Sequence, residues 1–152
     1  MLGTINPVVE VYAMARTIGA VSLVDGAQSL PHFKVDVQSL GFDFFTFSGH
    51  KIFVPTCIGA PYGRRDLPDS MSPWQRGGSM IKYVTFIKTT YAGLPIKFNA
   101  GMGSLADAVC LGAALNYLNT LDLQAAGLHE SALLTMAIDA LLDLPGCSII
   151  GQ

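Results

Sequence analysis

The first part of the chain alternates helical and extended patterns of apolar residues. Asn6-Pro7 reads as an N-cap followed by a proline in the first turn, and Gly19 stands where a left-handed glycine ends a helix, which predicts a helix over 7–18. Val21 to Val24 is a short apolar run ending in Asp25-Gly26. Phe42 to Phe47 is a second run, rich in aromatics, ending in Ser48-Gly49-His50-Lys51, and Ile58 to Tyr62 is a third strand candidate. Residues 63–100 carry many glycines and prolines and little periodicity, so they read as loops with short extended pieces. Ser104 with Asp107 is a variant capping box for a helix over 105–119, with Ala108, Leu111, Leu115 and Leu118 as its inner face. A further helix over 123–143 places Leu133, Ala137, Ala140 and Leu144 on one side before Pro145-Gly146 stops it, and Ser148 to Ile150 begins a strand. Helix followed by strand at this spacing predicts an α/β sheet, in which ligands bind beyond the carboxyl ends of the strands. Asp25 and Lys51 both fall at such ends.

Composition changes the picture in one respect. Of 152 residues, 51% are hydrophobic and 13% charged, against roughly 25% charged in a typical soluble domain. Either the strands are buried on both faces, or part of the surface is covered by more chain or a second subunit. The net charge of −2 and nine scattered Lys and Arg residues give no basic stripe, which argues against a nucleic-acid partner. Apolar runs such as Ile18 to Val24 and Ala108 to Leu115 stop well short of the ~20 residues of a membrane span. Met1 to Pro7 has no basic region of the kind that opens a signal peptide. Cys57, Cys110 and Cys147 are odd in number and far apart, which fits a reducing cytoplasm, no metal site, and three buried apolar thiols.

Taken alone, Asp25 at one strand end and Lys51 at another read equally as a surface salt bridge, a common and weak arrangement. A sharper reading comes from pyridoxal 5'-phosphate (PLP) chemistry. Such an enzyme needs a lysine to hold the cofactor as a Schiff base, and a carboxylate to keep its pyridine nitrogen protonated so that the ring acts as an electron sink.

Three segments, Val24-Asp25-Gly26-Ala27-Gln28-Ser29, Val35-Asp36-Val37 and Phe45-Thr46-Phe47-Ser48-Gly49-His50-Lys51, together resemble the cofactor core of class-V PLP enzymes, with cysteine desulfurases the closest group. The likeness continues in order through Pro55-Thr56, Gly59, Pro73-Trp74, Gly77-Gly78-Ser79-Met80-Ile81, Phe98, Ala100-Gly101 and Leu111 to Leu115. The resemblance implies Lys51 as the Schiff-base lysine and proton carrier, Asp25 as partner of the pyridinium nitrogen, Gln28 as donor to the ring hydroxyl oxygen, and Ser48 and His50 as phosphate ligands. It implies part of the fold-type I PLP-dependent transferase large domain over 1–120 and the beginning of the small C-terminal domain over 121–152. His32 and His129 gain no role from it, and Trp74 and Tyr91 read as packing residues near a dimer contact.

The family's reaction takes sulfur from L-cysteine, leaving alanine and an enzyme persulfide, on a homodimer that passes sulfur to an acceptor. Selenocysteine lyase and transamination are the alternatives within the fold, and a non-catalytic remnant or interaction fragment is the alternative outside it. The stretch Met102 to Ala108 resembles desulfurases carried by encapsulin-type shells. The match starts, at Met1-Leu2-Gly3-Thr4, in the middle of the family's large domain. The family's persulfide-forming cysteine and carboxylate-binding arginine have no counterpart here, so the isolated chain is expected to be inactive. Cys57 and Arg76 stand where the family has glycines, Cys110 where it has a small residue, and Met102 where it has a threonine reaching the neighbouring subunit's phosphate.

Overall fold

The computed structural model describes residues 3–150; Met1 and Leu2, with which the resemblance begins, lie outside the described residues. Helix α1 (Val8–Thr17) leads to a sheet built from the three marked runs, β1 (Leu23–Asp25), β2 (Phe44–Ser48) and β3 (Gly59–Gly63), in that order across the sheet. β1 and β2 are parallel, Leu23 beside Phe44 and Asp25 beside Thr46, so their carboxyl ends share an edge. β3 runs antiparallel and starts at that edge, with Gly59 opposite Ser48. A parallel pair needs a crossover. Residues 26–43 supply it through α2 (Val37–Leu40), which Asp36 caps by accepting the Gln38 and Ser39 amides and which Gly41 ends at φ +74°.

The loop-rich stretch 63–100 holds more structure than its composition predicts. It contains α3 (Asp66–Ser70), a hairpin of β4 (Ile81–Val84) and β5 (Thr89–Tyr91), and a 3-10 turn at Ile96–Phe98. The Thr85 hydroxyl oxygen accepts the Ile87 and Lys88 amides, closing the hairpin, while Phe86 and Ile87 stand exposed at its tip. The Lys97 ammonium donates to the Pro68 and Asp69 carbonyls at the end of α3, at 3.3 and 2.8 Å. Two long helices follow, α4 (Leu105–Leu118), capped by Ser104 accepting the Asp107 amide, and α5 (Leu123–Leu142), capped by Asp122 accepting the Gln124 and Ala125 amides.

The core has two parts. In one, Tyr12 of α1 meets the edge of Phe42 at 5.6 Å, Phe42 stacks on Phe45, and Val24, Val35, Val37 and Leu40 close around them. In the other, Ile52 and Val54, just past Lys51, pack on Ala114, Leu111 and Leu118 of α4. Each large apolar side chain so buried contributes on the order of 1.5–3 kcal/mol. Phe47 of β2 touches both parts.

At the amino ends of β1 and β2 lies a buried charge. Asp43, 4% exposed, accepts the Ser22 amide at 3.0 Å and the Ser22 hydroxyl at 3.3 Å through one oxygen. Its other oxygen meets the Arg64 guanidinium at 3.0 Å. Ser22 precedes β1, Asp43 precedes β2 and Arg64 follows β3, so one carboxylate ties together the near ends of all three strands. Arg64 also donates two bonds to Asp66, at 2.8 and 3.1 Å, which hold that exposed carboxyl below the usual aspartate range. That contribution is in place above the unfolded-state value and is lost as pH falls through the lower folded one.

Several expectations give way. Pro7, not Asn6, occupies the N-cap of α1 and makes no side-chain cap, because a proline ring carries no hydrogen-bonding group. The inner face of α4 is Leu111, Ala114 and Leu118, while Ala108 and Leu115 are exposed, since the helix is rotated from the face expected. On α5, Leu133, Ala137 and Ala140 are exposed, as is Leu144 just beyond it, and no residue of the helix is buried. Ser148–Ile150 is no strand, because no described strand lies beside it. All three cysteines are exposed: Cys110 faces away from the inner side of α4, Cys57 sits in a turn and Cys147 follows α5. Trp74, read as packing near a dimer contact, is 97% exposed in the single chain, which leaves that reading standing.

By length and composition α5, 20 residues with mean hydropathy 1.2, is apolar enough to cross a membrane, which reading the interrupted runs missed. Glu130 near its middle and Asp139 argue against that, since an acidic residue at a bilayer centre costs about 2.5–3.5 kcal/mol on insertion scales. His32 reaches Glu130 at 2.9 Å, joining the segment after β1 to α5.

Cys57 takes φ +99°, a conformation that favours glycine. Arg76, by contrast, keeps negative φ and carries no left-handed strain.

Two stability measurements follow. Asp43→Ala should cost about 2–3 kcal/mol in urea denaturation, from lost hydrogen bonds and a broken buried pair with a half-exposed partner. Asp43→Asn, which can still accept the Ser22 amide, should cost less. Equal losses would mean that the charge, and not the strand tie, is what matters. Cys57→Gly should raise stability by about 0.5–1 kcal/mol, relief of left-handed strain less the greater unfolded-state entropy of glycine. Cys57→Ala should give no such gain, and a gain from alanine would remove the strain explanation.

Candidate functional site

The edge shared by the carboxyl ends of β1 and β2 carries Asp25, Gln28, Ser48, His50 and Lys51. Asp25 ends β1, and one carboxylate oxygen accepts the Ala27 amide at 3.0 Å, which fixes the side chain where the chain turns. The Gly26 amide then donates to the Thr46 carbonyl at 2.8 Å, carrying the pairing with β2 one residue past Asp25. Gly26 has to be glycine, since a Cβ there would run into the Phe45 ring. Its carbonyl accepts the Ser29 and Leu30 amides, and the turn so formed presents Gln28 to solvent.

Ser48 closes β2 half-buried. Gly49 donates to the Ile58 carbonyl at 2.8 Å, and a Cβ on it would lie 2.9 Å from that same oxygen. The close approach turns the chain into a 3-10 turn, Gly49–Lys51, with His50 and Lys51 exposed on it. The Gly49 carbonyl accepts the Ile52 and Val54 amides at 2.8 and 3.2 Å, and both of those side chains are buried against α4. Lys51 is therefore an exposed cation on a turn whose next residue, Ile52, is 0% exposed.

Asp25 and Lys51 are not paired with each other. Among the described residues the ion pairs are His32–Glu130, Arg64–Asp43 and Arg64–Asp66, so the surface salt-bridge reading of the two strand ends has no support. The side chains of Gln28, Ser48, His50 and Lys51 likewise make no hydrogen bond to described residues, and Asp25 keeps one oxygen free. Five polar groups around one sheet edge are thus left for something outside this set: a carboxylate, an amine, an amide, a hydroxyl and an imidazole. That donor set fits PLP, which offers a basic ring nitrogen, a ring oxygen, an aldehyde and a phosphate.

His129 is exposed on α5, and Tyr91 is half-buried on β5, away from this edge in the chain's topology. The supports that sequence reasoning missed are Asp43, Arg64 and Ile52. An aspartate between two phenylalanines, Phe42 and Phe44, was the one available signal of a buried charge.

The family model described as aminotransferase class-V matches residues 1–152. A cysteine desulfurase of Synechococcus elongatus is 50% identical over 150 residues, covering 99% of this chain and 24% of its own length. The crystal structure of the cysteine desulfurase CsdA from Escherichia coli superposes with a TM-score of 0.91 at 40% identity, over 96% of this chain and 37% of that one. A C-DES variant with glycine covalently linked to its PLP cofactor has a TM-score of 0.77 at 24% identity, over 95% of this chain and 39% of that one, and at that identity shares the fold alone. The chain therefore spans between a quarter and two fifths of the length of these relatives. With a family model matched along all 152 residues and an α/β sheet that superposes on cysteine desulfurases, this chain belongs to the class-V aminotransferase family.

Proposed function

We propose that this chain is the cofactor-anchoring part of a PLP-dependent cysteine desulfurase, with Lys51 as the anchor. The observation that carries the reading is that Asp25, ending β1, and Lys51, in the turn after β2, lie at one sheet edge and form no ion pair among the described residues. When bound, PLP supplies an electron sink for charge that develops at a substrate carbon. The chain's own residues hold it and move protons. The Lys51 amine makes the covalent attachment and carries a proton at the substrate α-carbon. The free oxygen of Asp25, whose partner oxygen is fixed by the Ala27 amide, holds a proton on the ring nitrogen. Gln28 donates to the ring hydroxyl oxygen, and Ser48 and His50 donate to the phosphate.

The substrate proposed is L-cysteine, by analogy with relatives named for that activity. The proposed setting is a cytoplasmic homodimer, with a large-domain part over 1–120 and the start of a small domain over 121–152. The proposed boundary falls in the turn between α4 and α5. An encapsulin-type shell partner rests on the Met102 to Ala108 resemblance alone, and a sulfur acceptor on the family's chemistry.

The test is covalent trapping. Reaction of the chain with PLP and borohydride, followed by peptide mass mapping, should place the pyridoxyl group on Lys51, and Lys51→Ala should abolish the preference. A label spread evenly over Lys34, Lys82, Lys88 and Lys97, or found chiefly on one of them, would overturn the assignment.

A further inference from the structure

We propose that Tyr117 of α4 is a positioning residue for Lys51, acting through Phe53; this inference rests on Lys51 being the cofactor anchor. The three residues after Lys51 split to opposite sides. Ile52 and Val54 go down into the cluster with Leu111, Ala114 and Leu118. Phe53 between them, 66% exposed, turns outward with φ +68°. A phenylalanine has no intrinsic reason to adopt left-handed backbone, where its Cβ crowds the following carbonyl. The turn itself demands the reversal: the Val54 amide returns to the Gly49 carbonyl at 3.2 Å, a closure that needs a left-handed residue at 53, as at the end of a helix.

The outward ring is not loose. Its centroid lies 5.6 Å from that of Tyr117, with the rings at 79° to each other, an edge-to-face contact. Tyr117 stands three residues along α4 from Ala114, so the two are neighbours on the helix surface. Ile52 and Val54 set how deeply the turn sits on α4, and the Gly49 amide ties its start to the Ile58 carbonyl. The Phe53–Tyr117 contact supplies the third point. It fixes the rotation of the turn, and with it the direction of the Lys51 amine relative to the Asp25 carboxylate across the strand pair.

The experiment uses the chain, PLP at limiting concentration and borohydride, and reads the label on Lys51 relative to Lys34, Lys82, Lys88 and Lys97 in the same sample. Unfolding would also erase the preference for Lys51, so the ratio is read beside the thermal melt of each variant. An edge-to-face pair is worth roughly threefold to tenfold in an equilibrium, so Tyr117→Ala should lower the ratio by about that factor, and Tyr117→Phe, which keeps the ring, should restore it. Phe53→Gly removes the ring while supplying the residue best suited to positive φ. It should melt no lower than the parent chain yet show the same fall in the ratio, which keeps the test decisive even if Tyr117→Ala does not fold. A parent-like ratio in Phe53→Gly, or no rescue by Tyr117→Phe, would overturn the positioning role. A parent chain that does not favour Lys51 at all would overturn the anchor assignment instead, and the inference with it.

Discussion

The Asp43 carboxylate is the constraint on which the arrangement of the sheet depends. A charge that is 4% exposed is tolerable only when its oxygens are matched, and here they are matched by groups that adjoin the two strands on either side of its own. The Ser22 amide and hydroxyl bring in the start of β1, and Arg64 brings in the end of β3. Backbone bonds run alongside, from Phe44 to the Ser22 carbonyl and from Arg64 to the Asp43 carbonyl. With one end of each strand tied, the register of both strand pairs is set, and a slip by one residue would turn Phe45 out of the core.

What is tied at one end is used at the other. At about 3.3 Å per residue, the carboxyl ends of β1 and β2 lie roughly 10–17 Å from the Asp43 tie. There the chain makes two turns that only glycine permits, at Gly26 against the Phe45 ring and at Gly49 against the Ile58 carbonyl. Each turn follows a polar strand-end residue, Asp25 or Ser48, and leads to the exposed groups Gln28, His50 and Lys51. The second turn is held from below by Ile52 and Val54 on α4. The arrangement is a rigid support under flexible polar ends, which suits a bound group that must be oriented by several weak contacts at once.

Much of this was legible in the residues. The apolar runs ending in Asp25-Gly26 and Ser48-Gly49-His50-Lys51 marked strands β1 and β2 and the chemistry at their ends, because a strand end is a local pattern. Contacts made at a distance were not legible. Nothing near Asp43 in the sequence shows that Ser22 and Arg64 will meet it, and the face of α4 that packs on Ile52 depends on where the turn after Lys51 puts that side chain. The exposure of α5 has the same origin: its apolar side chains form a sensible helix pattern, yet burial needs a partner surface, and none of the described elements covers them. The Thr85 turn of the hairpin was hidden for a different reason, since a hydroxyl accepting two amides does the work usually signalled by Asn-Gly.

If strand pairing delivers Asp25 and Lys51 to one and the same PLP ring, protonation of that ring depends on Asp25. Nitrogen NMR of the chain carrying isotopically labelled PLP tests this most directly, by reporting the protonation of the pyridine nitrogen. The ring nitrogen should be protonated at neutral pH in the parent chain and lose its proton in Asp25→Asn, with Lys51 still carrying the cofactor in both. A ring nitrogen whose protonation is indifferent to Asp25, while Lys51 remains labelled, would contradict the pairing.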